Sequence, residues 1–165
     1  MKNNPYIYKD IVGEKVYFKR GVGEEYLLTK EYEMWHNYFI SEYYPPINTN
    51  TAFFHPCSWA KPYDFSFIIN PIKNIVDNHA TIHRLIISNA GVIPYEYQLN
   101  ETFCSYDWNP DLETEQIKQI YYNVTKKRVK NYLIKHINSY QRFFAYFRLD
   151  STSLKAVYDA CIDNG

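Results

Sequence analysis

Arg84-Leu85-Ile86-Ile87-Ser88 is a short apolar run closed by a polar residue, too short for a helix and rich in branched side chains. Such a run predicts a strand buried on both faces. Thr51-Ala52-Phe53-Phe54-His55 is a second run of the same kind and ends at Pro56. Between them, residues 65–78 mix apolar and polar positions, as in a short helix interrupted near Asn70-Pro71. Upstream, Leu28, Tyr32, Trp35 and Phe39 recur at helical spacing, with Thr29 as the N-cap and Pro45-Pro46 as the stop. Lys15–Lys19 reads as a short strand in the polar, Tyr- and Gly-containing stretch that opens the chain.

Downstream of Ser88, a loop carries Gly91 and Pro94, and Phe103–Trp108 reads as a strand. Thr114 caps a long helix whose face holds Ile117, Ile120, Tyr121 and Val124, continued by Val129, Tyr132 and Leu133. Arg142–Leu149 is a further strand. Asp150 or Ser151 then caps a last helix with Leu154, Val157, Tyr158 and Cys161 on its apolar side. Helices and strands thus alternate. The pattern predicts an α/β fold with a mostly parallel sheet flanked by helices. The division is an N-terminal extension over residues 1–25 and one core domain over 26–165. In such sheets ligands bind beyond the carboxyl ends of the strands. That rule brings together the loop after His55, the loop after Ser88 and the segment near Tyr106-Asp107.

Bulk properties bound the function. The 165 residues carry 18 basic and 18 acidic side chains, so the formal net charge is zero and gives no general support to nucleic-acid binding. No apolar run is long enough to cross a bilayer and no segment reads as a signal peptide, so no membrane partner is expected. Cys57, Cys104 and Cys161 are odd in number and widely spaced. They form neither a disulfide framework nor a zinc motif, which predicts a reducing, cytoplasmic setting. Asn123-Val124-Thr125 matches a glycosylation acceptor and is read as chance. Aromatic residues reach 19%, with 18 Tyr, and are read first as compositional bias and second as half-buried amphipathic side chains.

Several segments carry candidate chemistry. His55-Pro56-Cys57-Ser58-Trp59-Ala60-Lys61-Pro62-Tyr63-Asp64-Phe65-Ser66 leaves one strand and enters a helix. Cys57 there is either a nucleophile favoured by Lys61 or a small packed thiol. Ser88 to Glu96 is either a surface turn or a ligand loop, with Gly91 allowing close approach and Glu96 accepting from a guanine-like edge. Asp107 is either an acid–base group beside Cys57 or a chain-end cap. Lys126-Lys127-Arg128-Val129-Lys130, with Lys135 beyond, complements a helix dipole or contacts phosphate. His79 and His83 have the spacing of a metal pair only if helical, so no metal is expected, and His36 is read as structural.

Pro56-Cys57, Lys61-Pro62-Tyr63 and Ser66 match, at their spacings, the signature of archaeosine synthase, with Ile69 where that family has His. Ser88, Gly91, Pro94 and Glu96, then Tyr106-Asp107, resemble a second stretch of the family, and Trp35-His36 with Tyr44-Pro45-Pro46 resembles its lead-in. The resemblance covers roughly residues 26–165. It implies a fold similar to uracil-DNA glycosylases. It implies a transferase that adds an amine, understood to be lysine, to the nitrile of 7-cyano-7-deazaguanine in transfer RNA, before a radical-SAM partner completes archaeosine, in a pathway related to that of queuosine. No cofactor is implied. The catalytic residues it implies are Cys57, Lys61 and Asp107. Those implied for substrate binding are Pro56, Tyr63, Ser66, Ser88, Gly91, Glu96 and Tyr106. His55 lies close in sequence to Ile69 and is a candidate to substitute for the family's His there. The family's transglycosylase-like and RNA-binding regions do not fit in this chain, which points to a partner subunit, or to another carrier such as DNA or a free nucleoside. A non-catalytic subunit that binds the modified base, and an enzyme that hydrolyses the nitrile, are the competing expectations.

Overall fold

The computed structural model describes residues 19–58, 61–104 and 106–164. Its centre is a four-stranded mixed sheet of β2 (Thr51–Pro56), β3 (Ile82–Ser88), β4 (Gly91–Pro94) and β6 (Arg142–Ala145), ordered β4-β3-β2-β6. β2 lies parallel to both β3 and β6, and β4 is antiparallel to β3. A separate parallel pair joins β1 (Lys19–Arg20) to β5 (Tyr106–Asp107). The helices are α1 (Lys30–Ser41), α2 (Asn70–Asp77), α3 (Glu101–Cys104), α4 (Glu115–His136) and α5 (Thr152–Ile162).

The caps form as the side chains dictate. Thr29, Thr114 and Ser151 accept hydrogen bonds from Tyr32 N, Ile117 N and Leu154 N, so each satisfies one of the free amides that open α1, α4 and α5. Ser151, rather than Asp150, is the cap of α5. Pro71 does not interrupt a helix. It sits in the first turn of α2, where its missing N–H is no loss.

Successive β3 side chains point to opposite faces. His83 meets Tyr43, which follows α1, and Tyr140, which follows α4. Arg84 meets Asp77 of α2. The sheet is therefore covered on both sides. Ala52, Phe54, Leu85 and Ile87 join Tyr32, Phe39, Val129 and Tyr132 in the main core, and burying each large apolar side chain contributes about 2–3 kcal/mol.

Further sequence expectations change. The segment after Ser88 is a strand rather than a loop. Ser88 Oγ accepts from Ala90 N and tightens the turn, and Gly91 enters β4 at φ +94°, where a Cβ would lie 2.6 Å from the Arg128 side chain. Phe103–Trp108 is strand only at Tyr106–Asp107, and α3 takes Phe103 and Cys104. The strand read over Arg142–Leu149 stops at Ala145, so the rest becomes a connection that reaches the sheet's carboxyl edge. Leu28 is exposed and Leu27 fully buried, because Thr29 starts the helix after them; Tyr158 is likewise exposed. The strand read over Lys15–Lys19 lies outside the described residues except for Lys19, which opens β1.

Arg128 is the largest departure. It is not a surface cation but a buried one on the inner face of α4. Its guanidinium donates to Asn89 O at 2.8 Å, to Leu27 O at 2.6 Å and to the Glu33 carboxylate. It therefore ties the segment before α1 to the β3–β4 turn. Lys126 and Lys130 both pair with Asp163 at the end of α5. The basic run is mostly an internal and helix-to-helix fastening. Among the described residues no helix is long and apolar enough to cross a membrane.

Candidate functional site

The connections leaving β2, β3 and β6 end on one side of the sheet, as the parallel pairing of these strands requires. They enclose a cavity of 680 Å³, within the range of small-ligand sites. Cys57 and Ser58 follow β2, Asn89 follows β3, Tyr106 comes from β5, and Arg148 to Ser153 follow β6. The three segments expected to converge do so. Lys61 and Trp108 also line the cavity, as do Glu113, Glu115 and Lys118 at the start of α4.

Cys57 is half-buried, and its backbone N–H donates to Ile87 O at 2.8 Å, which continues the β2–β3 ladder and holds the thiol beside the strand end. Tyr106 is buried and its hydroxyl interacts with the Cys57 side chain. Tyr63 lies behind it, fully buried, with its hydroxyl 3.1 Å from that of Tyr106 and donating to Phe103 O at 3.0 Å. Burial, then the neighbouring Cys57, pushes both phenols far above the ordinary tyrosine range. They act as neutral hydroxyls. Lys61 Nζ stands 4.0 Å from the centroid of the Tyr106 ring, a cation–π contact that holds the ammonium at the wall of the cavity Cys57 also lines. Burial raises the Cys104 thiol to about 11, against the opposing pull of Lys61, and it donates to Gln98 O. Burial also raises the Cys161 thiol.

The remaining candidates separate into those that support the cavity and those that lie away from it. Pro56 ends β2 immediately before Cys57. Ser66 is buried and accepts from Ile68 N, shaping the turn that brings Ile68 to the cavity wall. Ser88 and Gly91 shape the turn that presents Asn89. Asp107 pairs with Arg20 in β5, and its side chain is outside the described residues.

Glu96 is not brought to Cys57. Its carboxylate accepts from the Tyr43 hydroxyl and lies 3.1 Å from His83 Nε2, near the opposite end of β3. Cys57 pairs beyond Ile87, four residues further along that strand, which at the usual rise is about 13 Å away. Burial opposes ionisation of Glu96, but the hydrogen bonds and charge of its neighbours leave its carboxyl below the usual range. His55 is fully buried, with Nδ1 at 3.0 Å from Pro56 O, and does not line the cavity. Burial, reinforced by Arg84, lowers its imidazole to about 4. Ile69 is buried as well.

No family model, no curated protein and no solved structure matches the chain. The geometry must carry the functional reading.

The cavity also holds groups that the sequence reading passed over. Trp108 donates from Nε1 to Glu113 Oε1 at 2.7 Å and packs at 5.9 Å against Tyr121, so its indole is fixed at the wall. Tyr121 shares a 2.8 Å hydrogen bond with Ser153, which links α4 to the first turn of α5. The one available signal for Trp108 and Glu113 was position, since they stand between the end of β5 and the start of α4.

Proposed function

We propose that this chain is a nitrile-directed base-modifying transferase, similar to the catalytic core of archaeosine synthase and to the uracil-DNA glycosylase-like fold. The observation that carries the reading is the Cys57 thiol in an open cavity with Lys61 and Tyr106 around it, at the carboxyl edge of the parallel strands. In this reading the Cys57 sulfur adds to the nitrile carbon of 7-cyano-7-deazaguanine. The S–C bond forms as one C–N π bond breaks, and the thiol proton ends on the nitrile nitrogen, with Lys61 as its carrier. The product is a covalent thioimide. An amine then adds to the same carbon, the S–C bond breaks, and a proton returns to sulfur. An amidine and a free thiol result. Trp108 supplies a face for the deazaguanine ring. The acceptor for the guanine-like edge passes from Glu96 to Glu113, whose Oε1 is held by Trp108 at the cavity wall. Transfer RNA or DNA is the carrier in this reading, and a partner subunit supplies its grip, since Lys126 and Lys130 are already paired with Asp163.

A second reading, a base-binding subunit without chemistry, is favoured by Ile69, an apolar side chain buried where the family has an imidazole. Intact-mass spectrometry separates the two. Incubation with 7-cyano-7-deazaguanine, as base and as nucleoside, gives an adduct of the whole ligand that is absent in Cys57→Ala if the transferase reading holds. Tight binding without an adduct supports the second reading. Release of an acid or amide without added amine would replace transfer by hydrolysis.

A further inference from the structure

The β3–β4 turn is fixed along its backbone and left open at one side chain. Ser88 Oγ accepts from Ala90 N, Arg128 donates to Asn89 O at 2.8 Å, and Gly91 lies against the Arg128 side chain. Asn89 is only 5% exposed, yet among the described residues its side-chain amide bonds to nothing. A buried amide without a partner costs about 1–3 kcal/mol. Asn89 carries that cost at the wall of the cavity, and its amide atoms open onto it. Tyr106, Tyr121 and Glu113 at the same wall are each bonded to a side chain of the protein.

We infer that Asn89 is a catalytic residue whose side-chain N–H stabilises the nitrogen of a nitrile as Cys57 adds to its carbon. This rests on the reading of Cys57 as a nitrile-directed nucleophile. The placement comes from the strand ladder. Pro56 and Ile87 are the last paired residues of β2 and β3, and Cys57 N donates to Ile87 O at 2.8 Å. Cys57 and Asn89 therefore leave neighbouring strands within two residues of that pair, and such strands run about 4.8 Å apart. Both reach the same cavity.

Addition forms the S–C bond and breaks one C–N π bond, and the electron pair of that bond moves onto the nitrogen. A donor already fixed beside that nitrogen stabilises the charge without reorganising. The Asn89 amide has N–H groups to give and no protein acceptor to serve, and the Arg128 bond to its carbonyl holds the turn that carries it. Lys61 has a different task in the proposed reaction. It carries the proton to the same nitrogen and cannot stand there as a fixed donor throughout. Charge on nitrogen belongs to attack on a multiple bond. Iodoacetamide also consumes the Cys57 sulfur, but its S–C bond forms as iodide leaves with the electron pair, and no nitrogen needs a donor. The two kinds of electrophile therefore separate the role of Asn89 from the general reactivity of the thiol.

The experiment compares 2-cyanopyrimidine, a small heteroaryl nitrile that forms a thioimide, with iodoacetamide at pH 7.5. Intact-mass spectrometry follows both in the full-length wild-type protein and in N89A, N89L and N89D, with Cys57→Ala as the background from Cys104 and Cys161. Thermal melts check each fold. The ratio of the nitrile rate to the alkylation rate is expected to fall about tenfold or more in N89A and N89L, as for the loss of one oxyanion-hole donor. In N89D it falls at least as far, because a carboxylate keeps the shape and lacks the N–H. A smaller fall in N89A overturns the proposal, and so does a wild-type protein that is alkylated at Cys57 but forms no thioimide. If N89A does not fold, N89L and N89D decide by the same criterion. The same proteins are then given 7-cyano-7-deazaguanine. If it forms no adduct while 2-cyanopyrimidine shows the expected ratios, the proposed function fails and this inference stands. If its adduct forms as fast in N89A as in wild type, the proposed function stands and this inference fails.

Discussion

The two ends of β3 both gather polar side chains, and they differ in what those side chains leave open. At the amino-terminal end, His83 bonds through Nδ1 to Tyr140 at 2.7 Å and meets Glu96 through Nε2. Tyr140 is bonded in turn to Tyr132, and Glu96 to Tyr43. These partners bond one another and do not line the 680 Å³ cavity. At the carboxyl-terminal end, Cys57, Lys61, Asn89 and Trp108 face 680 Å³ of open space. A closed network stabilises a fold, because low dielectric strengthens each bond within it. An open set of the same residue types is available to a ligand. By residue type alone, Glu96 and His83 are as suggestive of chemistry as Cys57 and Lys61, and what separates them is that Glu96, His83 and their tyrosines are bonded to one another while Cys57 and Lys61 line the cavity.

The largest effect is expected at Cys57. Cys57→Ala is expected to abolish the nitrile adduct while leaving the melting temperature within a few degrees of wild type, and an adduct of undiminished yield in that variant would sink the catalytic reading. The next largest effect belongs to Arg128, which fastens the Asn89 turn at the carboxyl-terminal end to the segment before α1 through Leu27. Arg128→Ala strips three acceptors of a buried charged donor and is expected to cost about 3–5 kcal/mol in urea denaturation. A cost below about 1 kcal/mol would show that the tie is dispensable.

Acid has an effect of intermediate size. Burial, with Arg128 adding to it at His36 and Arg84 at His55, lowers both imidazoles to about 4. The folded state therefore binds fewer protons than the unfolded chain between the ordinary histidine value and about 4. Stability falls as pH falls through that window, by roughly 3 kcal/mol at most for each imidazole, and the loss is complete below about pH 4. Denaturation midpoints measured from pH 7 to 4 test this, and His55→Gln should flatten the slope. Flat midpoints in the wild type would show that neither imidazole is held neutral.

Glu96→Gln is a smaller change with a two-part outcome. It is expected to lower stability by about 1–2 kcal/mol through the weakened His83 and Tyr43 bonds, and to leave the Cys57 adduct rate within about twofold of wild type. A tenfold slower adduct would return Glu96 to the substrate. The smallest effect is at the surface. Lys130→Ala, whose partner Asp163 stays paired with Lys126, should shift stability by no more than about 0.5 kcal/mol.

Much of the element order was legible because it rests on local rules. Thr29, Thr114 and Ser151 announced their helices, and Arg84–Ser88 announced its strand. The convergence of the Cys57, Asn89 and Tyr106 segments also followed from alternation and the carboxyl-edge rule. The losses have physical causes. Gly91–Pro94 is too short and too rich in turn residues to read as a strand, and it becomes one because β3 offers an unpaired edge. Trp108 and Glu113 carry no motif, since their bond forms only when β5 hands over to α4.

What the sequence by itself determined is therefore the alternation of helix and strand and the placing of Cys57 at a strand end, since caps, breakers and apolar period act over a few residues. Tertiary structure alone decided which polar groups are spent on one another. Arg128 lies in a run of cations and is buried; Glu96 lies in a ligand-like loop and is bonded to His83 and Tyr43. Charge and hydrogen-bond satisfaction are settled between residues as much as 101 positions apart, as Arg128 and Leu27 are, and no local pattern records such a pairing.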